Sequence, residues 1–214
     1  MKKRSVWVGL VPMMVVLGGV AAPAAAQTQK DGAADRLRLG GFVSMGFGGE
    51  ATLEEDDGNE SEDDLDATGG FGFLVDFVPY EYVGVGGLLR FAFWEADGGT
   101  DRNTVMDFSL MPRGRYPFER GEVYLAVPVG MTIQLIPDQT VLGADVDIDA
   151  GVGWNVGLLA GGQFLVTDNI GVFGHMGGMF RGAKHGVSAP LVGSSDVKVK
   201  TRQFVLELGV SFLL

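Results

Sequence analysis

Residues 122–135 read Glu-Val-Tyr-Leu-Ala-Val-Pro-Val-Gly-Met-Thr-Ile-Gln-Leu, an alternation without a break. Val123, Leu125, Val127, Val129, Met131, Ile133 and Leu135 share one face of an extended strand. Glu122, Tyr124, Ala126, Pro128, Gly130, Thr132 and Gln134 share the other. Successive strand side chains point to opposite faces, so the stretch is one long two-faced strand. Strands of soluble sheets run about 5–6 residues, whereas a tilted strand crossing a bilayer needs about 9–11. The length favours the membrane.

The same period recurs on both sides. It predicts eight strands, over 36–48, 67–78, 82–95, 104–117, 122–136, 149–166, 170–182 and 199–214. The connections alternate in length. Those at 49–66, 96–103, 137–148 and 183–198 are long. Those at 79–81, 118–121 and 167–169 are tight, with Pro79, Gly121 and Asp168-Asn169 as turn residues. Short periplasmic turns and long extracellular loops are the asymmetry of an outer-membrane barrel, and an even strand count puts both termini on the short-turn side.

The faces decide between a soluble and a membrane barrel. A soluble barrel is apolar inside and charged outside; a membrane barrel is inverted. Along 82–95, Val85, Leu89, Phe91 and Phe93 oppose Gly84, Gly86, Leu88, Arg90 and Ala92. Along 149–166, the face Gly151, Gly153, Asn155, Gly157, Leu159, Gly161 and Gln163 carries no charge. A wet exterior would be studded with Lys, yet none occurs between Lys30 and Lys184. The polar faces are mostly small residues, which suit a crowded small-barrel interior. The expected fold is therefore all-β: a closed, antiparallel, up-and-down, eight-stranded transmembrane β-barrel over 36–214.

The N-terminus reads as an address. Lys2, Lys3 and Arg4 precede an apolar run from Val6 to Val20, and Ala24-Ala25-Ala26 fits a cleavage site before Gln27. Residues 1–26 are expected to be a cleaved signal peptide and 27–35 a short periplasmic segment. Loss of those three basic residues leaves 13 Lys+Arg against 27 Asp+Glu, a net charge of -14. With no Cys, an exported chain has no disulfide. The acidic balance excludes a nucleic-acid partner, which needs a basic stripe.

Aromatic residues cluster by level. Phe77, Tyr80, Tyr82, Tyr116, Phe118, Tyr124, Phe164 and Phe212 lie beside the short turns, a candidate periplasmic girdle. Phe47, Phe71, Phe93, Trp154, Phe180 and Phe204 form a candidate upper one.

The last strand, Phe204-Val-Leu-Glu-Leu-Gly-Val-Ser-Phe-Leu-Leu214, resembles the C-terminal strand of bacterial outer-membrane barrels. With the leader, the strand count and the loop asymmetry, the chain resembles the small eight-stranded superfamily that includes the transmembrane domain of outer membrane protein A. The resemblance implies residence in the outer membrane among lipids and lipopolysaccharide. It also implies that Phe204, Leu206, Leu208, Val210, Phe212 and Leu214 are an insertion signal read by the barrel assembly machinery. The family usually ends on Phe or Trp, whereas this chain ends on Leu214.

Inward parity places Arg38, Asp76, Arg90, Asp107, Arg113, Arg115, Glu122, Arg181 and Glu207 in the lumen. Unpaired charges there would be costly, so a salt-bridged network is expected. Arg90 with Asp76 or Asp107 is the favoured pair, with Glu207 as a further partner. Such a network either plugs the barrel or, as the resemblance suggests, gates a narrow channel by exchanging partners. The connection 49–66 holds ten carboxylates, from Glu50 to Asp66. It reads as a solvated acidic surface and a candidate site for divalent cations, without EF-hand spacing. No cofactor or resident metal is implied.

Some small barrels modify lipid A with a Ser and a His. Here His175 is followed two places on by Gly177, and His185 lies three residues before Ser188. Neither His-x-Ser nor Gly-x-Ser-x-Gly occurs. The expectation is a non-enzymatic barrel in structural or surface-interaction work.

Overall fold

The computed structural model describes residues 37–55, 60–65, 67–95, 102–141, 144–189 and 193–214. The expected leader and the segment 27–35 lie outside them. The strands are β1 (Leu37–Glu55), β2 (Glu60–Leu65), β3 (Thr68–Tyr80), β4 (Val83–Glu95), β5 (Arg102–Phe118), β6 (Gly121–Ala126), β7 (Val129–Leu135), β8 (Gln139–Val141), β9 (Ala144–Ile148), β10 (Gly151–Leu165), β11 (Ile170–Ala189) and β12 (Gly193–Leu213).

Eight staves close a ring. β1 pairs with β3, β3 with β4, β4 with β5, and β5 with both β6 and β7. β6 and β7 are two halves of one stave, and both pair with β10. β10 pairs with β11, β11 with β12, and β12 returns to β1 with Arg38 opposite Leu213. Every stave is antiparallel to both neighbours, so none is left as an edge.

The stave over 121–135 is broken at Val127 and Pro128, where a single strand was expected. Proline has no N–H for the ladder. The break is still bridged: Val127 N donates to Pro112 O at 3.0 Å, and Gly157 N donates to Pro128 O at 2.9 Å.

The long-loop ends of the staves run further than the alternation alone predicts. β1 runs on to Glu55 and pairs with β12 as far as Val197, and β2 adds to its other side. β11 and β12 pair up to Ala189 opposite Gly193, through most of the expected loop 183–198. β8 and β9 make a hairpin inside the expected loop 137–148. Charge made these segments read as loops, yet their backbones pair as ladders. The switch in β1 lies at Gly48, whose φ is 47°. The register skips between Phe47 and Gly49, a β-bulge that turns Glu50 and Glu54 to the outer face. There Glu54 meets Lys198 (3.2 Å) and Lys200 (2.7 Å), and Glu50 meets Arg202.

The faces are those of a membrane barrel. Leu110, Leu125, Leu158 and Leu208 stand 57–59% exposed, whereas Arg90, Asp107 and Glu207 are at most 1% exposed. Among the described residues, outward positions between the two aromatic levels carry no charge. Apolar surface of this extent belongs in hydrocarbon, and a closed barrel leaves no backbone group unpaired there.

Two predictions follow from the bulge and the ladder above it. Gly48→Val forces a β-branched residue into left-handed backbone, a cost of about 1–2 kcal/mol. Amide exchange between β1 and β12 beyond Phe47 should accelerate, while exchange below Phe47 stays slow. The Lys200 and Lys198 ammonium groups hold the Glu54 carboxyl below its ordinary value of 4.5. A depressed value means the pairing is present at neutral pH and lost as pH falls through the lowered pKa. A carbonyl chemical-shift titration of Glu54 should therefore show a midpoint below 4.5, moving up in Lys198→Gln/Lys200→Gln.

The charged lumen as candidate functional site

Two ionic clusters occupy the interior. The first is built on Glu122, next to the tight turn between β5 and β6. Arg38 donates to both its oxygens, at 2.6 and 3.1 Å, and Arg113 and Arg115 reach it at 3.1 and 2.5 Å. Arg113 also pairs with Asp76, and Arg38 lies 3.8 Å from that carboxylate. Gln163 accepts from Arg38 at 2.7 Å and donates to Ser211 at 2.8 Å. Gly84 makes room for Arg113, because a Cβ there would lie 2.6 Å from Nε.

The second cluster is a chain. Arg181 donates through Nε to Asp107 at 2.9 and 3.2 Å, and Arg90 donates to Asp107 at 3.2 Å. Arg90 Nε donates to Glu207 at 2.5 Å, and Ser44 donates to the same oxygen at 3.0 Å. The other Glu207 oxygen meets His175 Nε2. His175 Nδ1 lies 3.1 Å from the Tyr124 hydroxyl, and the Arg113 guanidinium sits 5.0 Å from the centre of the Tyr124 ring. Tyr124 thus joins the two clusters.

These bonds cross the barrel. Arg38 and Glu122 stand on β1 and β6, which lie four staves apart either way round the ring; Arg90 and Glu207 stand on β4 and β12, three apart. Buried apolar side chains, among them Phe42, Leu74, Leu88, Met111, Leu159 and Phe173, fill space beside them. A chamber of about 10 Å3 beside Arg181, lined also by Thr68, Val105, Thr201 and Gln203, has room for about one water.

All nine charged residues placed inward by parity are buried. Arg90 sits with Asp107 and Glu207 but not with Asp76. Arg90 faces Gly72 in register while Asp76 faces Gly86, four residues lower on β4. Register, which parity does not supply, separates them. Tyr124 is corrected. It was placed in the periplasmic girdle, yet it is 5% exposed and points inward, as its even position beside Glu122 requires. Phe77, Tyr80, Tyr82, Tyr116, Phe118, Phe164 and Phe212 are exposed on the outside. So are Phe204, Leu208, Val210, Phe212 and Leu214 of the last strand, with Leu206 half-buried.

His185 is also corrected. It was assigned to a loop but is buried in β11, 3.2 Å from Gln134 and 3.1 Å from the Asp149 carbonyl. Gln134, Asn155 and Gln163, which the alternation placed on polar faces without a role, are buried, and so is Gln203, which sequence reading did not single out. Among the described residues, no group of three or more His, Asp or Glu is arranged to hold a metal ion.

A closed barrel with a lipid-compatible exterior and a salt-bridged interior defines a class: the small transmembrane β-barrel. One solved structure superimposes well enough to show the same fold, and two others superimpose less closely. OprG from Pseudomonas aeruginosa superimposes with a TM-score of 0.61 at 12% identity, over 85% of this chain and 96% of that one. AlkL, solved in lipid bilayers, gives 0.49 at 18% identity over 92% and 95%. The protease OmpT from Escherichia coli gives 0.47 at 8% identity over 83% and 97%. No protein-family model matches the sequence, and no curated protein matches it significantly. The chain shares the fold of outer-membrane β-barrels.

Asp107 is the point at which the second cluster is most exposed to mutation. Asp107→Asn leaves Arg90 and Arg181 buried with one countercharge fewer and should cost about 3–5 kcal/mol. Urea unfolding in lipid vesicles checks it. Glu54→Gln, on the exposed ladder, should barely move the midpoint.

Proposed function

We propose that this protein is a structural or surface-interaction barrel whose lumen is plugged and whose acidic extracellular surface meets the environment. The observation that carries the plug is the span of the interior bonds: Arg38 to Glu122 ties staves on opposite sides of the ring, and Arg90 to Glu207 ties staves three apart. An eight-stranded interior is just wide enough for side chains, so these bonds leave no path of solute size.

The second reading is a narrow channel. Asp107 and Glu207 share Arg90, so a guanidinium could move between carboxylates and open a path. Five interior Arg against four carboxylates would make that path favour anions. Catalysis has less support. His175 is engaged by Tyr124 and Glu207, and His185 by Gln134 and the Asp149 carbonyl; neither has a serine partner among the described residues. A non-enzymatic role is the one proposed.

Residues 1–26 serve in this reading as the export leader. The outward row from Phe204 to Leu214 serves as the insertion signal for the assembly machinery, and the periplasmic aromatics anchor the lower interface. Lipopolysaccharide surrounds the upper half. Divalent cations gather diffusely along the acidic row of β1 and β2, where Glu50 stands opposite Asp64 and Glu54 opposite Glu60.

Planar-bilayer recording separates the two readings. The plug predicts no steady conductance from the wild type and its appearance in Arg90→Ala/Arg181→Ala. A steady, anion-selective conductance in the wild type would favour the channel.

A further inference from the structure

Above the upper aromatic level, β2, β1, β12 and β11 continue as one four-stranded sheet. Register puts its outward side chains in rows. The top row runs Glu60, Glu54, Lys198, Lys184; the next runs Glu62, Thr52, Lys200, Gly182; the lowest runs Asp64, Glu50, Arg202, Phe180. The outer face is thus divided along the seam between β1 and β12. On the β2 and β1 side these rows hold five carboxylates and no base; on the β12 and β11 side they hold four cations and no acid. Asp196 pairs with Lys184 from one row higher, where Asp149 also approaches Gly186.

We propose that this divided face is the contact between two copies of the chain, related by a two-fold axis along the membrane normal. Symmetry is the first argument. Copies inserted by one route share one orientation, so a two-fold that relates them lies along the normal, and each copy offers the same patch to the other. Set face to face about that axis, the left half of one copy meets the right half of the other. The acidic side therefore falls on the partner's basic side, and the basic side on the partner's acidic one. With the axis at the seam, β1 lies against the partner's β12, and β2 against the partner's β11. An axis through β1 would set Glu50 and Glu54 against their own equivalents, and an axis through β12 would do the same to Lys198, Lys200 and Arg202. Charge thus favours one placement and opposes its neighbours.

Surplus charge is the second argument. Glu60, Glu62 and Asp64 are exposed and take no part in the ion pairs of Glu50 and Glu54. Those two carboxylates serve three cations on β12, and the cationic side chains stay 49–60% exposed. An ammonium has three donors and a guanidinium five, so each keeps capacity for a second carboxylate. A single chain leaves acids in surplus on one side of the seam and bases in surplus on the other. The two-fold contact brings each surplus to the other.

The seam below the charged rows supplies the third argument. Phe47 and Phe204 stand opposite each other on β1 and β12, 43% and 47% exposed on the outer face. Met45 and Leu206 follow beneath them. The same axis sets Phe47 on the partner's Phe204, and aromatic residues and Met are favoured at the centres of interfaces. Packing alone does not choose a partner at this depth, because lipid tails are as apolar as these side chains. The charged rows directly above make the choice, and the partner they fit is a second copy of this chain.

The chain has no Cys, so one can be introduced without a competing thiol. Thr52→Cys places it on the outer face beside the seam, and Leu135→Cys on the far side of the ring. The full chain is reconstituted in phosphatidylcholine vesicles without lipopolysaccharide and treated with a short bis-maleimide. Thr52→Cys should cross-link as a dimer and Leu135→Cys should not. In the Thr52→Cys background, Lys198→Glu/Lys200→Glu/Arg202→Glu turns the basic side acidic, and Glu50→Lys/Glu54→Lys/Glu62→Lys turns the acidic side basic. Each alone should cross-link at least about tenfold less, and an equimolar mixture of the two should restore the original yield. Resistance to unfolding in cold detergent shows that a variant is intact, and exposed pairs of this kind contribute little to it. Equal cross-linking at the two cysteine positions would overturn the proposal, as would a monomeric protein in these vesicles, including one that associates only once lipopolysaccharide is added. Undiminished cross-linking of either intact variant alone, or none from the mixture of the two intact variants, would overturn it as well.

Discussion

A chain that lies in hydrocarbon cannot leave backbone N–H and C=O groups unpaired, because no water is there to take them. Everything else depends on how this constraint is met. β12 returns to β1 from Val197 to Leu213, and Leu214 N donates to Leu37 O at 2.9 Å to finish the seam. Once the ring is closed, strand alternation has only two destinations, lipid and lumen, and each residue type follows. Even the break at Pro128 is arranged so that the neighbouring donors and acceptors on β5 and β10 stay engaged.

The narrow ring sets the chemistry of its interior. Nine charged side chains share a space with no room for bulk water, so each must be met by another side chain. The result is two clusters joined by Tyr124 rather than a set of isolated pairs. Buried ion pairs are weak evidence of net stability, since desolvation offsets their attraction. Their geometric effect is firmer. A guanidinium bonded to carboxylates on distant staves fixes the barrel's cross-section and occupies the path a solute would take. The same clusters thus account for the shape of the barrel and, in the reading proposed above, for its closure as a conduit.

Much of this was legible in the sequence. The alternation through Val123–Leu135, the absence of lysine over most of the chain and the unequal connections were enough for the barrel and its faces. Parity alone located Arg38, Arg90, Asp107 and Glu207 in the lumen. What parity could not supply was height. The separation of Arg90 from Asp76 follows from strand register, which emerges only when all eight staves pair at once. Tyr124 was misplaced because nearness to a turn was weighed above its inward position. The strand extensions at the long-loop end were hidden by their charge: the Gly48 bulge shifts the alternation of β1 by one place, so Glu50 and Glu54 look like loop residues until β12 brings Arg202, Lys200 and Lys198 beside them.

The central claim is the assignment of faces, and β12 is where it is tested most directly. Spin labels placed singly at Phe204, Val205, Leu206, Leu208, Gly209, Val210, Ser211 and Phe212, in protein reconstituted into bilayers, report contact with lipid through collisions with dissolved oxygen. The account predicts a period of two, with high oxygen collision rates at the even positions and immobilised, shielded labels at Val205, Gly209 and Ser211. High collision rates with a water-soluble reagent at the even positions would contradict it, because the apolar rows would then face solvent and the barrel would not lie in a membrane.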